Sequence, residues 1–316
     1  MNGRPWRSRA ALVTLAAVTL QATPGAAQRT VVSRAEIDRA VRVHLPVALG
    51  SYGELLRFPN DAHHADDLER QTRYLAERFE ALGFDARVLP TAGLPILLAE
   101  RRVPGATRTV LVYLQSDGQP VDPSAWSQPD PYEPVVKRRK AAGGDGWEVV
   151  PWETVEAAVG AAGDGAGGTA LDPEWRLFAR SASDSKGPVA QFLAALRIAG
   201  DLGVEPDFDL KVVVDTEEEL GSPALPDAVR RHRDALASDM LVIFDGPPHA
   251  SGRPTLKFGA RGIATVTLTT YGPRAPQHSG HYGNYAPNPA LRMARILASL
   301  KDEHGRVVIP GWYDGV

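Results

Sequence analysis

Arg108-Thr-Val-Leu-Val-Tyr-Leu-Gln115 decides the fold class. The stretch is rich in β-branched and apolar residues and does not alternate with polar ones, so it reads as a strand buried on both faces. Downstream, Leu210–Val214 and Met240–Phe244 read the same way, and upstream lie two shorter apolar runs, Phe84–Leu89 and Pro95–Ala99. Helical signals separate them. Ser33-Arg-Ala-Glu36 has the spacing of a capping box and predicts a helix start. Leu68, Tyr74, Leu75, Phe79 and Leu82 recur at helical intervals ahead of Gly83, a residue suited to ending a helix. Gly187–Leu202 is a helix with Val189, Phe192, Leu193, Leu196 and Ile198 as its apolar residues, and Pro223–Arg231 is a short one. Strands alternating with helices predict an α/β fold, a three-layer sandwich around a mostly parallel sheet.

Outside that core the character changes twice. Lys137 to Leu171 is rich in Gly and Ala and reads as a surface excursion, partly helical around Glu153–Val159. After about Pro254, Ile263–Tyr271 alternates like a half-exposed strand, and Asn288–Leu300 is an amphipathic helix opening on Asn-Pro. One strand and one helix cannot bury a core, so residues 257–316 read as the start of a second, α+β domain, and the chain is expected to be an N-terminal portion of a longer one.

At the other end, Arg4, Arg7 and Arg9 precede an apolar run from Ala10 to Leu20, and small residues follow in Gly25-Ala26-Ala27. This is the pattern of a secretory signal peptide over residues 1–27, and the run is too short to span a bilayer. The expectation is an exported protein, periplasmic or secreted, with no membrane attachment after cleavage and residues 28–256 as the domain ahead of the second one. The 316 residues are 43% hydrophobic and 23% charged, an ordinary globular composition. The net charge of -3 becomes -6 once residues 1–27 are removed, which argues against a dedicated nucleic-acid binder. There is no cysteine, which excludes disulfides, thiolate metal sites and cysteine nucleophiles.

Acidic residues gather where the strands end. Asp117 follows the Arg108–Gln115 run, Glu217-Glu218-Glu219 follow the next, Asp245 closes Met240–Phe244, and Asp184 stands just ahead of the Gly187 helix. In open α/β sheets, ligands bind beyond the carboxyl ends of the strands. Taken singly, an Asp in such a place is a turn or cap residue. Brought together, several carboxylates repel unless a cation neutralises them, and an oxygen-rich set without cysteine suits one or two divalent metals.

At these residues the sequence resembles the co-catalytic metallopeptidases and amidohydrolases that include carnosinase-type dipeptidases, aminoacylase and the glutamate-releasing carboxypeptidases. The likeness rests on Asp117-Gly-Gln-Pro-Val-Asp-Pro, Arg180-Ser-Ala-Ser-Asp184-Ser-Lys-Gly-Pro188, Glu217-Glu-Glu-Leu-Gly-Ser222, Phe244-Asp-Gly-Pro247 and Gln277-His-Ser-Gly-His-Tyr-Gly283, in that order. It implies metal-dependent hydrolysis of peptide or N-acyl amino acid bonds by a metal-activated water. It implies that Asp184 bridges two metals, Zn²⁺ or Mn²⁺, with Glu219 ligating one and Asp245 the other. Glu218 would be the general base, Asp117 a supporting carboxylate, and His278 the group that steadies the oxyanion from an inserted lid domain. That lid would also form a homodimer in the full-length protein.

Two departures stand out. The family presents a histidine two residues before the Asp of its first motif, and this chain has Gln115 there. Gln115 is accordingly a weaker metal ligand, and the metal shared by Asp184 and Asp245 should be held more loosely, be Mn²⁺ instead of zinc, or be absent. The family's last metal histidine and its substrate-carboxylate arginine fall beyond Val316; His63, His64 and His249 are the candidate surrogates, each expected to be an exposed loop residue. The alternative reading is a pseudoenzyme that binds peptides or metal without turnover.

Overall fold

The computed structural model describes residues 32–140, 146–163, 171–172, 174–247 and 249–315. The signal segment expected at 1–27 lies outside them. The chain divides into two compact units, Met1–Pro247 and Pro248–Val316.

The first unit is built on a five-stranded sheet in the order β1-β2-β7-β3-β8: β1 Asp85–Leu89, β2 Ile96–Arg101, β3 Thr109–Gln115, β7 Asp209–Asp215 and β8 Met240–Ile243. β3 runs parallel to both β7 and β8, whereas β1 and β2 pair antiparallel with each other and β2 pairs antiparallel with β7. The sheet is therefore mixed, not mostly parallel. The short connection 90–95 is the reason at one edge, since a parallel return needs a long crossover.

Both faces are covered over the central strands β2, β3 and β7, which is why these carry no polar alternation; β8, expected to be a buried strand, is instead an edge strand of this sheet with Met240, Leu241 and Ile243 exposed. Leu97, Ala99, Val112, Leu114, Val212 and Val214 face one way, with helices α1 (Arg34–Leu56), α2 (Ala65–Glu80) and α4 (Lys186–Asp201) contributing Leu55, Leu75, Phe79 and Val189. Ile96, Leu98 and Val213 face the other way, against Ala228 of α5 (Leu225–Arg231) and Leu236 of α6 (Arg233–Leu236). The three layers follow from these two clusters. The capping box at α1 forms as read: Ser33 Oγ accepts from Glu36 N, and Ser33 N donates to the Glu36 carboxylate at 2.8 Å.

The excursion is more ordered than its composition suggests. β4 (Val135–Arg139) pairs antiparallel with both β5 (Trp147–Val149) and β6 (Arg176–Phe178) in a small second sheet. Val136, Val150, Val155 and Val159 bury a core of their own with α3 (Trp152–Gly163), against Leu45 and Leu49 of α1.

The second unit holds α7 (Ser279–Tyr282) and α8 (Pro289–Ala298). Asn288 caps α8, its side chain accepting from Ala290 N at 2.9 Å and Leu291 N at 3.3 Å, with Pro289 in the first turn as expected. The strand expected at Ile263–Tyr271 is not formed: no ladder is assigned there, and Ile263 and Val266 are exposed. An alternating segment becomes a strand only when another strand satisfies its backbone, and none does so among the described residues. No described helix is long and apolar enough to cross a membrane.

Candidate active site

Parallel pairing sets the site. Gln115 lies opposite Asp215 in the β3–β7 register, and Tyr113 lies opposite Ile243 in β3–β8. The segments after these strands, carrying Asp117, Glu217 to Glu219 and Asp245, thus leave the sheet from one edge. Asp184 arrives from the segment ahead of α4, through a cis Asp184–Ser185 peptide.

The groups respond to one another. Burial raises the Glu218 carboxyl above the ordinary range, and the charges of Glu219, Asp245 and Asp184 push in the same direction, while a hydrogen bond from Gln115 opposes them. Asp184 is raised by burial and then by Glu219 and Asp245. Four of the sequence-derived residues therefore share one electrostatic neighbourhood, as do Gln115 and Glu218. Asp117 is almost wholly buried; desolvation pushes its carboxyl up to about 6, against the pull of backbone hydrogen bonds, the Glu219 N–H first among them. That N–H donates to Asp117 Oδ2 at 3.0 Å, and Gln119 Nε2 donates to Glu219 Oε2 at 2.7 Å.

Among the candidate site residues, two buried oxygens are left without a hydrogen-bond partner: Gln115 Oε1 and Asp117 Oδ1. Unpartnered buried acceptors are costly, and beside a group of mutually repelling carboxylates they form a donor set that suits a divalent cation. Among the described residues, no three His, Asp or Glu side chains are drawn tightly enough together to hold an ion as they stand. His278 stands in the second unit as the N-cap of α7, its Nδ1 accepting from Gly280 N at 3.0 Å, and is exposed. His63 and His64 are exposed beside Asp61, with His63 Nδ1 at 2.7 Å from Asp61 Oδ1, and His249 is exposed too.

The buried frame that holds these segments lay outside the sequence reading. Asp215 accepts from Glu217 N at 3.1 Å through Oδ1, and from Tyr113 O–H at 2.7 Å and Ser222 O–H at 2.6 Å through Oδ2. This pins the turn through the short helix Glu218–Leu220, which Gly221 ends in the left-handed region. Asn60 Nδ2 donates to Ser116 O at 2.9 Å and Ser181 Oγ at 3.0 Å, and the Asn60 carbonyl accepts from Gly118 N at 2.8 Å. A Cβ at Gly118 would collide with Ser181 Oγ and the Asn60 amide, so only glycine fits. The Lys186 side chain is fully buried, and its ammonium donates to the carbonyls of Leu56, the last residue of α1, and of Phe58 just beyond it. Asp215 at a strand terminus and Lys186 inside the Arg180–Pro188 motif had readable positions but no readable role; Asn60 carried no pattern that marked it.

Residues 149–310 match the model of peptidase family M20/M25/M40. The chain belongs to this family. A cysteinylglycine-S-conjugate dipeptidase from Corynebacterium striatum is 30% identical over 252 residues, covering 78% of this chain and 47% of that protein. The human Beta-Ala-His dipeptidase is 28% identical over 234 residues, covering 73% of this chain and 39% of that one. The chain thus spans less than half the length of these curated relatives. Among solved structures, an M20 family metallo-carboxypeptidase from Sulfolobus solfataricus superimposes with a TM-score of 0.57 at 26% identity, over 84% of this chain and 52% of that one. Human carnosine dipeptidase 1 shares the fold, with a TM-score of 0.52 at 22% identity over 89% of this chain and 55% of that one.

Proposed function

We propose that this M20 chain is the N-terminal part of an exported, metal-dependent hydrolase of dipeptides or N-acyl amino acids. The observation that carries the reading is the shared neighbourhood of Asp184, Glu218, Glu219 and Asp245 beside the unpartnered oxygens of Gln115 and Asp117. Asp184, Glu219, Asp245 and the Gln115 carbonyl would hold one or two divalent ions, Zn²⁺ or Mn²⁺. A bound cation supplies the polarisation of the scissile carbonyl and the acidification of water.

The rest falls to side chains. Glu218, raised by burial and by its acidic neighbours, takes the proton from the attacking water and returns it to the leaving amine. Gln115, by hydrogen-bonding Glu218, orients that carboxylate. Asp117 fixes the turn through the Glu219 N–H. His278 steadies the oxyanion from a lid that pairs two copies of the full-length protein. Residues 1–27 direct export to the periplasm or outside the cell.

Dipeptides and N-acetyl amino acids assayed with Zn²⁺- or Mn²⁺-loaded full-length protein test this. Glu218→Gln should retain metal and lose roughly 10²–10⁴ in kcat, whereas Glu219→Gln should lower metal content. Gln115 favours one other reading, a metal- or peptide-binding protein without turnover; stoichiometric metal uptake with no hydrolysis of any substrate would establish it.

A further inference from the structure

The helix layer carries a cleft that hydrolysis does not use. It opens to solvent among α1, α2 and α4. Leu55, Leu82, Leu193 and the Tyr52 ring wall it, Arg78 and Arg197 supply its charge, His44 lines it too, and no carboxylate does. His44 is answered by Asp201, with Nε2 at 2.7 Å from Oδ2. The arginines are not so well answered. Arg78 Nε is buried with no hydrogen-bond partner, and the Arg78 guanidinium lies 4.9 Å from the Tyr74 ring centroid and 3.8 Å from Glu77. Arg197 has no ion pair among the described residues. A guanidinium donor left unpaired against apolar walls is unfavourable by itself, and its planar fork matches a carboxylate.

The inner end of the cleft reaches the active-site frame. Tyr52 O–H donates to the Ala182 carbonyl, in the segment that leads to Asp184. That segment is packed closely: a Cβ on Gly187 would collide with Ala182 O and come within 3.5 Å of the Tyr52 hydroxyl.

We propose that the cleft is a second ligand site, for a small amphipathic carboxylate with a short acyl chain or a single ring. Arg78 and Arg197 take the carboxylate, the leucines and Tyr52 take the apolar part, and occupancy restrains the Asp184 segment through the Tyr52 hydroxyl.

Titration calorimetry of the whole 316-residue chain with hexanoate, and with hexylamine as the cation of equal length, tests the site. Hexanoate should bind saturably at one site, with a Kd on the order of 1 mM for so small a ligand, and hexylamine should not bind. The double variant Arg78→Gln/Arg197→Gln should weaken hexanoate by roughly 10-fold or more. Leu193→Trp, which fills the cleft and keeps both arginines, should abolish binding. Asp184→Asn should leave it unchanged, separating this site from the acidic one. Amide exchange at residues 182–187 should slow on saturation in the unsubstituted chain and not in Tyr52→Phe. Absence of saturable binding, equal binding of hexylamine, unchanged affinity in the double variant, or loss of binding in a folded Asp184→Asn would overturn the site. Unaltered exchange at 182–187 in the saturated chain would overturn the transmission.

Discussion

The two compact units spend their apolar residues in opposite ways. In the first, Phe79, Leu97, Leu98 and Leu114 are inaccessible to solvent and belong to clusters on the two faces of one sheet. In the second, Leu256, Phe258, Ile263 and Val266 are exposed, and no described residue is buried. Both stretches have strand-like or amphipathic patterning, and only the first has partners to receive it. A hydrophobic pattern states a demand; whether it is met depends on chain elsewhere.

Amide exchange should give the largest contrast. β3 and β7 sit inside a ladder, and their amides should exchange more slowly than those of 254–274 by several orders of magnitude. Comparable protection in both would mean that the second unit builds a sheet. Next comes cavity formation: Phe79→Ala, fully buried, should cost about 3–5 kcal/mol in denaturant unfolding.

The third contrast is in pH. Asp117, Asp184, Glu217 and Glu218 all have carboxyls raised in the fold, chiefly by burial. A raised carboxyl contributes stability that is whole below its unfolded value and is lost as pH rises through the folded one. Asp117, moving from 3.8 to about 6, should cost the metal-free first unit up to about 3 kcal/mol between pH 4 and 7. Mn²⁺ should recover part of that loss at pH 7. A urea midpoint that rises over this interval without metal would contradict the assignment.

Smaller effects separate the caps. Ser33→Ala, which removes half of the capping box on α1, should lower global stability by about 1 kcal/mol. Asn288→Ala should instead lower only the local protection of α8, leaving the unfolding midpoint unchanged. Smallest of all, Phe258→Ala, with the side chain 98% exposed, should shift stability by no more than about 0.5 kcal/mol.

Legibility in the sequence followed the same division. Elements whose signal is local were readable: the Ser33 capping box, the Asn288-Pro289 helix start, and β-branched runs ending at Gln115 and near Asp215. The acidic residues were readable because strand ends have a fixed chemical meaning. Strand direction was not, since the antiparallel placing of β2 beside β7 depends on residues more than a hundred positions apart. The β4-β5-β6 sheet was hidden for a similar reason: its strands are short, and Gly- and Ala-rich chain separates two of them. Asn60 looks like an ordinary surface residue until the fold buries it against the Ser116 carbonyl, and Lys186, though it stands in the Arg180–Pro188 motif, gives no sign of its burial.

Asp215 and Asp117 are both buried acids at the same sheet edge, yet their lone pairs are differently committed. Asp215 is fully subscribed: Oδ1 serves the Glu217 amide, and Oδ2 serves Tyr113 and Ser222. Asp117 has given Oδ2 to the Glu219 amide and keeps Oδ1 in reserve. The first carboxylate is a rivet and the second a rivet with one jaw open. An incoming cation or donor can therefore engage the Asp117 side without dismantling the turn that carries Glu218, whereas recruiting Asp215 would release that turn.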